Sequence, residues 1–262
     1  MKPKKSLGQN FLVDNSIISE FLKVAGISKE DSVLEVGAGS GNITKELARK
    51  TKKVIAVEYD KDLLPTLTSN LSHLNNVEVL NENVLFLPKF PSDKRLKDVN
   101  KVVGAIPYQI TSPLIHKMIY DNWPESSFIV QKEVAEKICG KAGDASYLSN
   151  FVSFFYKAEM GKIVSPKAFS PAPLVFSAII KLTPVSPRKD IEIRKFSGFL
   201  HLGFSNPRKM LNKVLDKDLL ISLGISPSLR PQDLTLEEWL KLYENKNPPG
   251  ERISQSGIAD KD

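Results

Sequence analysis

Apolar positions along this chain fall into two alternating patterns. Short, mostly apolar segments predict buried strands: "SVLEV" (32–36), "KKVIAV" (52–57), "NVEVL" (76–80), "NKVVGAI" (100–106) and "SSFIV" (126–130). Between them the apolar residues recur at helical spacing in "NSIISEFLKVAGI", "NITKELARK", "KDLLPTLTSNLSHL" and "SPLIHKMIYDN". Asn15 is the expected cap of the first helix and Gly26 its expected end. Pro65 predicts either a first-turn position or a kink. "SSFIVQKEVAEKICG" turns from strand into helix, and "FVSFFYKAEMGKIV" and "LVFSAIIKLTPV" supply two late strands at hairpin-like spacing. Strands alternating with helices predict an open α/β sheet covered on both faces, with an antiparallel edge.

After "TPVSPRKD" the pattern changes. "EIRKFSGFLHLGF", "PRKMLNKVLDKDLLISLGI" and "TLEEWLKLYENK" read as helices with no strand between them. The expected organisation is a first domain over residues 1–183 and a small helical domain over 184–262, with a frayed polar tail after "NPPG".

Composition adds a sign. The 262 residues include 37 Lys and Arg against 30 Asp and Glu, a formal charge of +7. This excess fits a polyanionic partner, and fits ordinary solubility as well. Cys139 is the single cysteine, which excludes an intrachain disulfide and a cysteine-based metal cluster. His73, His116 and His201 are dispersed and give no metal signature. No apolar run suits a signal peptide or a membrane span, so a cytoplasmic protein is expected. Lys2, Lys4 and Lys5 form either a phosphate-contacting arm or a solvated start.

Candidate chemistry begins at "VLEVGAGSG", where Gly37, Gly39 and Gly41 follow a buried strand and open a helix. Glycines there permit a tight turn and close backbone approach to a ligand. A phosphate-binding P-loop is disfavoured because no GKS or GKT follows, and the spacing is not that of a GxGxxG dinucleotide site. Glu58, at the end of the second strand, can accept both hydroxyls of an adenosine ribose. That arrangement suits a dinucleotide or S-adenosylmethionine.

The segments "KSLGQNFL", "VLEVGAGSG", "VIAVEYD", "GAIPYQITSPL", "VQKEVAEKI" and "FSPAP", in this order, resemble the ribosomal RNA adenine dimethyltransferase family. The likeness runs from about residue 4 to 240 and includes "GFSNPRKML" and "LGISPSLRPQDLT". It implies a seven-stranded, Rossmann-like methyltransferase sheet binding S-adenosylmethionine, with a small C-terminal helical domain for RNA recognition. The implied reaction transfers methyl groups to N6 of two adjacent adenosines near the 3′ end of small-subunit ribosomal RNA. The implied partner is that RNA, or the immature small subunit, met by a monomer without a membrane. By the same resemblance Gln9, Asn10 and Leu12 belong to an N-terminal cofactor segment. Glu35, Gly37, Gly39 and Gly41 belong to the methionine-side wall, and Glu58 is the ribose ligand.

An adenine amino group is a poor nucleophile because its lone pair is delocalised into the ring. Two acceptors on its hydrogens and an aromatic ring over the base favour in-line attack, and no metal is needed. The family pattern for this is Asn-Leu/Ile-Pro-Tyr; here Ala105, Ile106, Pro107 and Tyr108 occupy it, with Phe169 lining the target pocket. Ala105, which also borders the cofactor, supplies no side-chain acceptor. A lost transition-state hydrogen bond costs on the order of 2–4 kcal/mol, roughly 30–1000-fold in rate. Asn83 stands where the family carries an acidic residue for the cofactor's adenine, and is expected to accept through its amide oxygen as a neutral partner. Phe176 replaces an Asp or Asn. The opposing reading is therefore a catalytically weak RNA-binding assembly factor. Lys132, Lys137, Lys141, Arg188, Lys189, Arg208 and Lys209 are candidate phosphate contacts.

Overall fold

The computed structural model describes residues 4, 7–90 and 92–246. Lys2, Lys5 and the polar tail lie outside the described residues. The chain separates into two compact units. Met1–Cys139 with Val152–Pro187 form the first, and Gly140–Phe151 with Arg188–Asp262 the second.

In the first unit, β2 (Ser32–Val36), β3 (Lys53–Val57), β4 (Val77–Leu80), β5 (Lys101–Ala105) and β6 (Glu125–Gln131) are parallel. β9 (Ser177–Pro184) pairs antiparallel with β6, and β7 (Tyr156–Val164) antiparallel with β9. The sheet has seven strands in the order β4-β3-β2-β5-β6-β9-β7. A separate two-residue ribbon joins β1 (Phe11–Leu12) to β8 (Phe169–Ser170). The order runs outward from β2 in both directions, so the ends of β2 and β5 border the crevice where such sheets bind ligands.

Among the described residues, the helices that accompany the sheet are α1 (Asn15–Val24), α2 (Asn42–Lys50), α3 (Leu64–Leu71), α4 (Thr111–Tyr120) and α5 (Lys132–Cys139). One core cluster packs Ile18 and Phe21 of α1 and Leu47 of α2 with Val54, Val103, Ile129 and Ile179 of the strands. Asp14, not Asn15, caps α1: its carboxylate accepts from Ser16 N (2.8 Å) and Ile17 N (3.3 Å). An extended residue one position earlier can reach those N–H groups, whereas Asn15 is already helical. Pro65 sits in the first turn of α3, where no amide hydrogen is needed.

The late segments divide differently from the sequence pattern. Phe151–Ser153 finish α6 (Tyr147–Ser153), so strand β7 begins only at Tyr156, whose hydroxyl donates to Trp123 O at 2.8 Å. Leu174–Phe176 remain an exposed loop ahead of β9. Besides the first five residues of α6, the second unit holds α7 (Ile193–Gly203), α8 (Lys217–Ser222) and α9 (Leu236–Lys246). The long helix expected over 207–225 is broken. A 3₁₀ turn occupies Leu211–Lys213, and the Asp216 carboxylate caps a new start by accepting from Leu219 N at 2.8 Å. Residues 140–151 fall in this unit, not with the sheet. Gly143 N donates to Gln232 O (2.8 Å), and the Tyr147 ring stacks on His201 at 3.7 Å between centroids. Trp239, fully buried, packs edge-on against Phe199. No helix among the described residues is long and apolar enough to cross a membrane.

Two buried features of the central strands have measurable consequences. A Cβ on Gly104 of β5 would stand 2.4 Å from the Val36 carbonyl oxygen of β2, a rigid neighbour. Gly104→Ala is expected to destabilise the protein by about 2 kcal/mol or more, read as a lower denaturation midpoint in urea with an unchanged slope. Glu35 of β2 is fully buried, and burial pushes its carboxyl up to about 8, partly opposed by the Thr44 hydroxyl and reinforced by Glu58. The folded state thus holds a neutral carboxyl where the unfolded chain ionises near its ordinary value. Stability present below the unfolded pKa is lost as pH rises toward about 8. Glu35→Gln should flatten that slope, giving a smaller stability difference between pH 5 and pH 8 in paired denaturation curves.

Candidate functional site

A cavity of about 210 Å³ lies at the C-terminal ends of β2, β3, β4 and β5. Its floor is the turn after β2. Gly37, Gly39 and Gly41 all take left-handed backbone (φ +74°, +58° and +86°), which explains glycine at each. Gly37 N and Ala38 N both donate to Val57 O, at 2.9 and 3.1 Å, and so bind the turn to β3. Gly39 lies so close to the Phe11 ring that a Cβ would meet it at 2.8 Å. Gly41 serves another purpose. It does not line the cavity, and its space is filled by Leu67 and Leu71, so it lets α2 pack on α3. Glu35 is likewise absent from the wall: it is buried behind the turn beside Thr44, and its Oε2 has no hydrogen-bond partner among the described residues.

Glu58 does line the cavity. Its Oε2 accepts from Gly39 N at 2.8 Å and its Oε1 from Asp60 N at 2.7 Å. Burial raises its pKa, and those two N–H groups pull it back toward the charged form. Each oxygen keeps a further lone pair for a ligand hydroxyl.

Gln9, Asn10 and Leu12 form the opposite rim. Both ends of the Gln9 amide are engaged by protein: Oε1 accepts from Lys4 N and Nε2 donates to Asp60, each at 2.7 Å. Lys4 also bridges Asp60 and Asp62 at 2.6 Å, so this lysine anchors the segment instead of reaching for phosphate. Asp60 is held below the ordinary carboxylate value: burial acts to raise it, but Lys4 and Gln9 prevail. The Asn10 amide donates to Gly8 O at 3.2 Å. Leu12 pairs with Phe169 across the β1–β8 ribbon, and its carbonyl accepts from the Asn42 amide at 2.9 Å.

On the β4 side, Tyr59, Leu63 and Val84 make an apolar slot beside Glu82 and Asn83. Sequence reasoning missed these three, although for Tyr59 and Val84 the available signal was an apolar residue directly after the polar candidates Glu58 and Asn83. Asn83 has a local role as well: its Oδ1 accepts from Leu85 N at 3.0 Å, capping a short 3₁₀ turn, which fixes the orientation of the amide and leaves that oxygen one further lone pair.

At the other end stand Ala105, Ile106, Pro107 and Tyr108. Ile106 is pinned through its N–H to Ile129 O at 3.0 Å. The half-buried Tyr108 hydroxyl shares a 2.7 Å hydrogen bond with Ser177 Oγ; burial raises its pKa against that bond. Phe169 belongs both to the core and to the cavity wall. Phe176 stands outside the lining, half exposed, with its carbonyl accepting from Lys132 N at 2.9 Å. A backbone floor, an acidic acceptor and an apolar slot in one cavity fit the methionine, ribose and adenine parts of S-adenosylmethionine. No group of three or more metal-ligating side chains occurs among the described residues.

The candidate phosphate contacts separate by their partners. Lys132 and Lys137 pair with Glu136 and Glu133 one helical turn away, and Arg188 with Asp190 and Glu244. In the second unit Arg208 and Lys209 line an open depression together with Lys213 and Arg230. None of those four forms an ion pair among the described residues.

Residues 1–247 match the family described as ribosomal RNA adenine dimethylase. The chain is 38% identical over 260 residues to the ribosomal RNA small subunit methyltransferase A of Caldanaerobacter subterraneus subsp. tengcongensis, covering 92% of this chain and 96% of that protein. It is 38% identical over 245 residues to the protein of the same name from Thermotoga maritima, covering 92% and 84%. Among solved structures it resembles a dimethyladenosine transferase from Plasmodium falciparum, with TM-score 0.77, 28% identity, and coverage of 90% of this chain and 98% of that one. The 23S rRNA methyltransferase ErmE follows with TM-score 0.73, 26% identity and the same coverages. With sheet order, cavity and full-length similarity in agreement, this chain belongs to the ribosomal RNA adenine dimethylase family and carries its methyltransferase fold.

Proposed function

We propose that this chain binds S-adenosylmethionine and methylates N6 of two adjacent adenosines near the 3′ end of small-subunit ribosomal RNA, at a rate lowered by Ala105. The observation that carries the reading is one continuous cavity with Glu58 and the glycine turn at one end and Ile106–Pro107–Tyr108 at the other. When bound, S-adenosylmethionine supplies an activated methyl on its sulfonium. Glu58 accepts the ribose hydroxyls, and the glycine turn brings backbone close to the methionine part. The Ile106 carbonyl accepts one hydrogen of the target amino group. Tyr108, steadied by Ser177, offers its ring to a base taken out of the stack, and Phe169 closes the wall beside it. Gln9, Asn10 and Leu12 hold the rim.

Ala105 leaves the second amino hydrogen without a side-chain acceptor. This favours a second reading, in which the protein binds the immature small subunit as an assembly factor and transfers methyl groups poorly. In either case it works as a cytoplasmic monomer on RNA, and the helical unit contributes backbone contacts through its basic depression.

Labelled methyl transfer to small-subunit particles lacking the modification, with the product nucleoside identified by mass spectrometry, tests the reaction. The parent is expected to give slow N6-methylation, and Ala105→Asn a rate roughly 30–1000-fold higher. No product from either protein, with binding retained, would favour the assembly factor. Particle binding should also weaken as salt rises. Arg208→Ala with Lys213→Ala should lower the slope of log affinity against log salt by about one to two; an unchanged slope would remove the depression from the RNA interface.

A further inference from the structure

The amide of Asn83 has its polarity fixed by its neighbour. A backbone N–H can only donate, so the atom facing Leu85 N at 3.0 Å is the oxygen, and the other end of the amide is an NH₂ donor. Asn83 borders the slot formed by Tyr59, Leu63 and Val84, the apolar part of the cavity next to the ribose acceptor Glu58. A purine attached to a ribose on Glu58 has this slot for its flat face. The other polar side chain on this wall, Glu82, is turned to Arg95, whose guanidinium donates to both of its oxygens.

A carboxylate at 83 would use one oxygen for Leu85 N and keep the second to accept from a 6-amino group. Asn83 keeps the cap and replaces that second acceptor by a donor. An adenine amino group then meets N–H against N–H, while a 6-oxo group meets a donor it can accept from. We infer that Asn83 removes the cavity's selection for a 6-amino purine and makes the slot receptive to a 6-oxo purine, the hypoxanthine base. The inference rests on the cofactor reading above and concerns ligand choice, not turnover.

The test is calorimetric binding of S-adenosylhomocysteine and S-inosylhomocysteine to the parent and to Asn83→Asp and Asn83→Ala. The two ligands carry the same charge, so their affinity ratio isolates the purine edge. The parent should bind both within about threefold, or prefer the inosyl compound. Asn83→Asp, which retains the Leu85 cap, should prefer the adenosyl compound by about 10- to 100-fold, the value of a hydrogen bond to a charged group. Asn83→Ala should show little preference, and melting curves check that each variant is folded. A parent that already prefers the adenosyl compound tenfold, with the ratio unmoved in Asn83→Asp, overturns the inference and leaves the cofactor reading standing. A folded parent that binds neither ligand overturns both.

Discussion

The hydrogen bond from Gly39 N to the Glu58 carboxylate ties together everything at the ligand end of this molecule. It joins the turn after β2 to the tip of β3, and it forms only because Gly39 adopts a left-handed backbone that a side chain would obstruct. The same carboxylate holds Asp60 N, and Asp60 in turn holds Lys4 and Gln9. A single buried acid therefore sets the floor, one wall and, through its neighbour, the rim of the cavity. Its burial would favour the neutral form, and the converging N–H groups offset that cost.

The opposite end depends on a different principle. Here the chain following β5 has no carboxylate to organise it; Ile106 is fixed by a strand neighbour and Tyr108 by the hydroxyl of Ser177. The β1–β8 ribbon closes the space by setting Leu12 against Phe169. Ile106, Tyr108 and Phe169 are thus each held in place around Ala105, and what Ala105 lacks is chemical: a side-chain acceptor. A scaffold whose positioning elements persist beside a missing functional group suits slow transfer and suits binding without transfer, which is why the two functional readings share one structure.

Charge is distributed with similar economy. Several of the cations that the sequence suggested for phosphate contact are paired within one helical turn or with a nearby acid, as Lys132, Lys137 and Arg188 are. Arg208, Lys209, Lys213 and Arg230 form no ion pair among the described residues. Net charge alone could not separate these groups, because a formal +7 counts paired and unpaired cations alike.

Much was legible in the chain itself. Apolar runs and helical spacing identified the strands and their covering helices, because a strand buried on both faces is predominantly apolar. The glycine turn, Glu58 and the acceptor missing at Ala105 were equally plain, since each is a property of a residue and its immediate neighbours. Tertiary structure decided the rest. It sent Gly41 to helix packing and Glu35 behind the wall, gave Gln9 to Asp60, and moved residues 140–151 into the helical unit. It also fixed which end of the Asn83 amide is free, a choice made by Leu85 N once the chain turns after β4. Sequence specifies which donors and acceptors exist; which of them remain open to a ligand depends on the partners folding brings within hydrogen-bond reach.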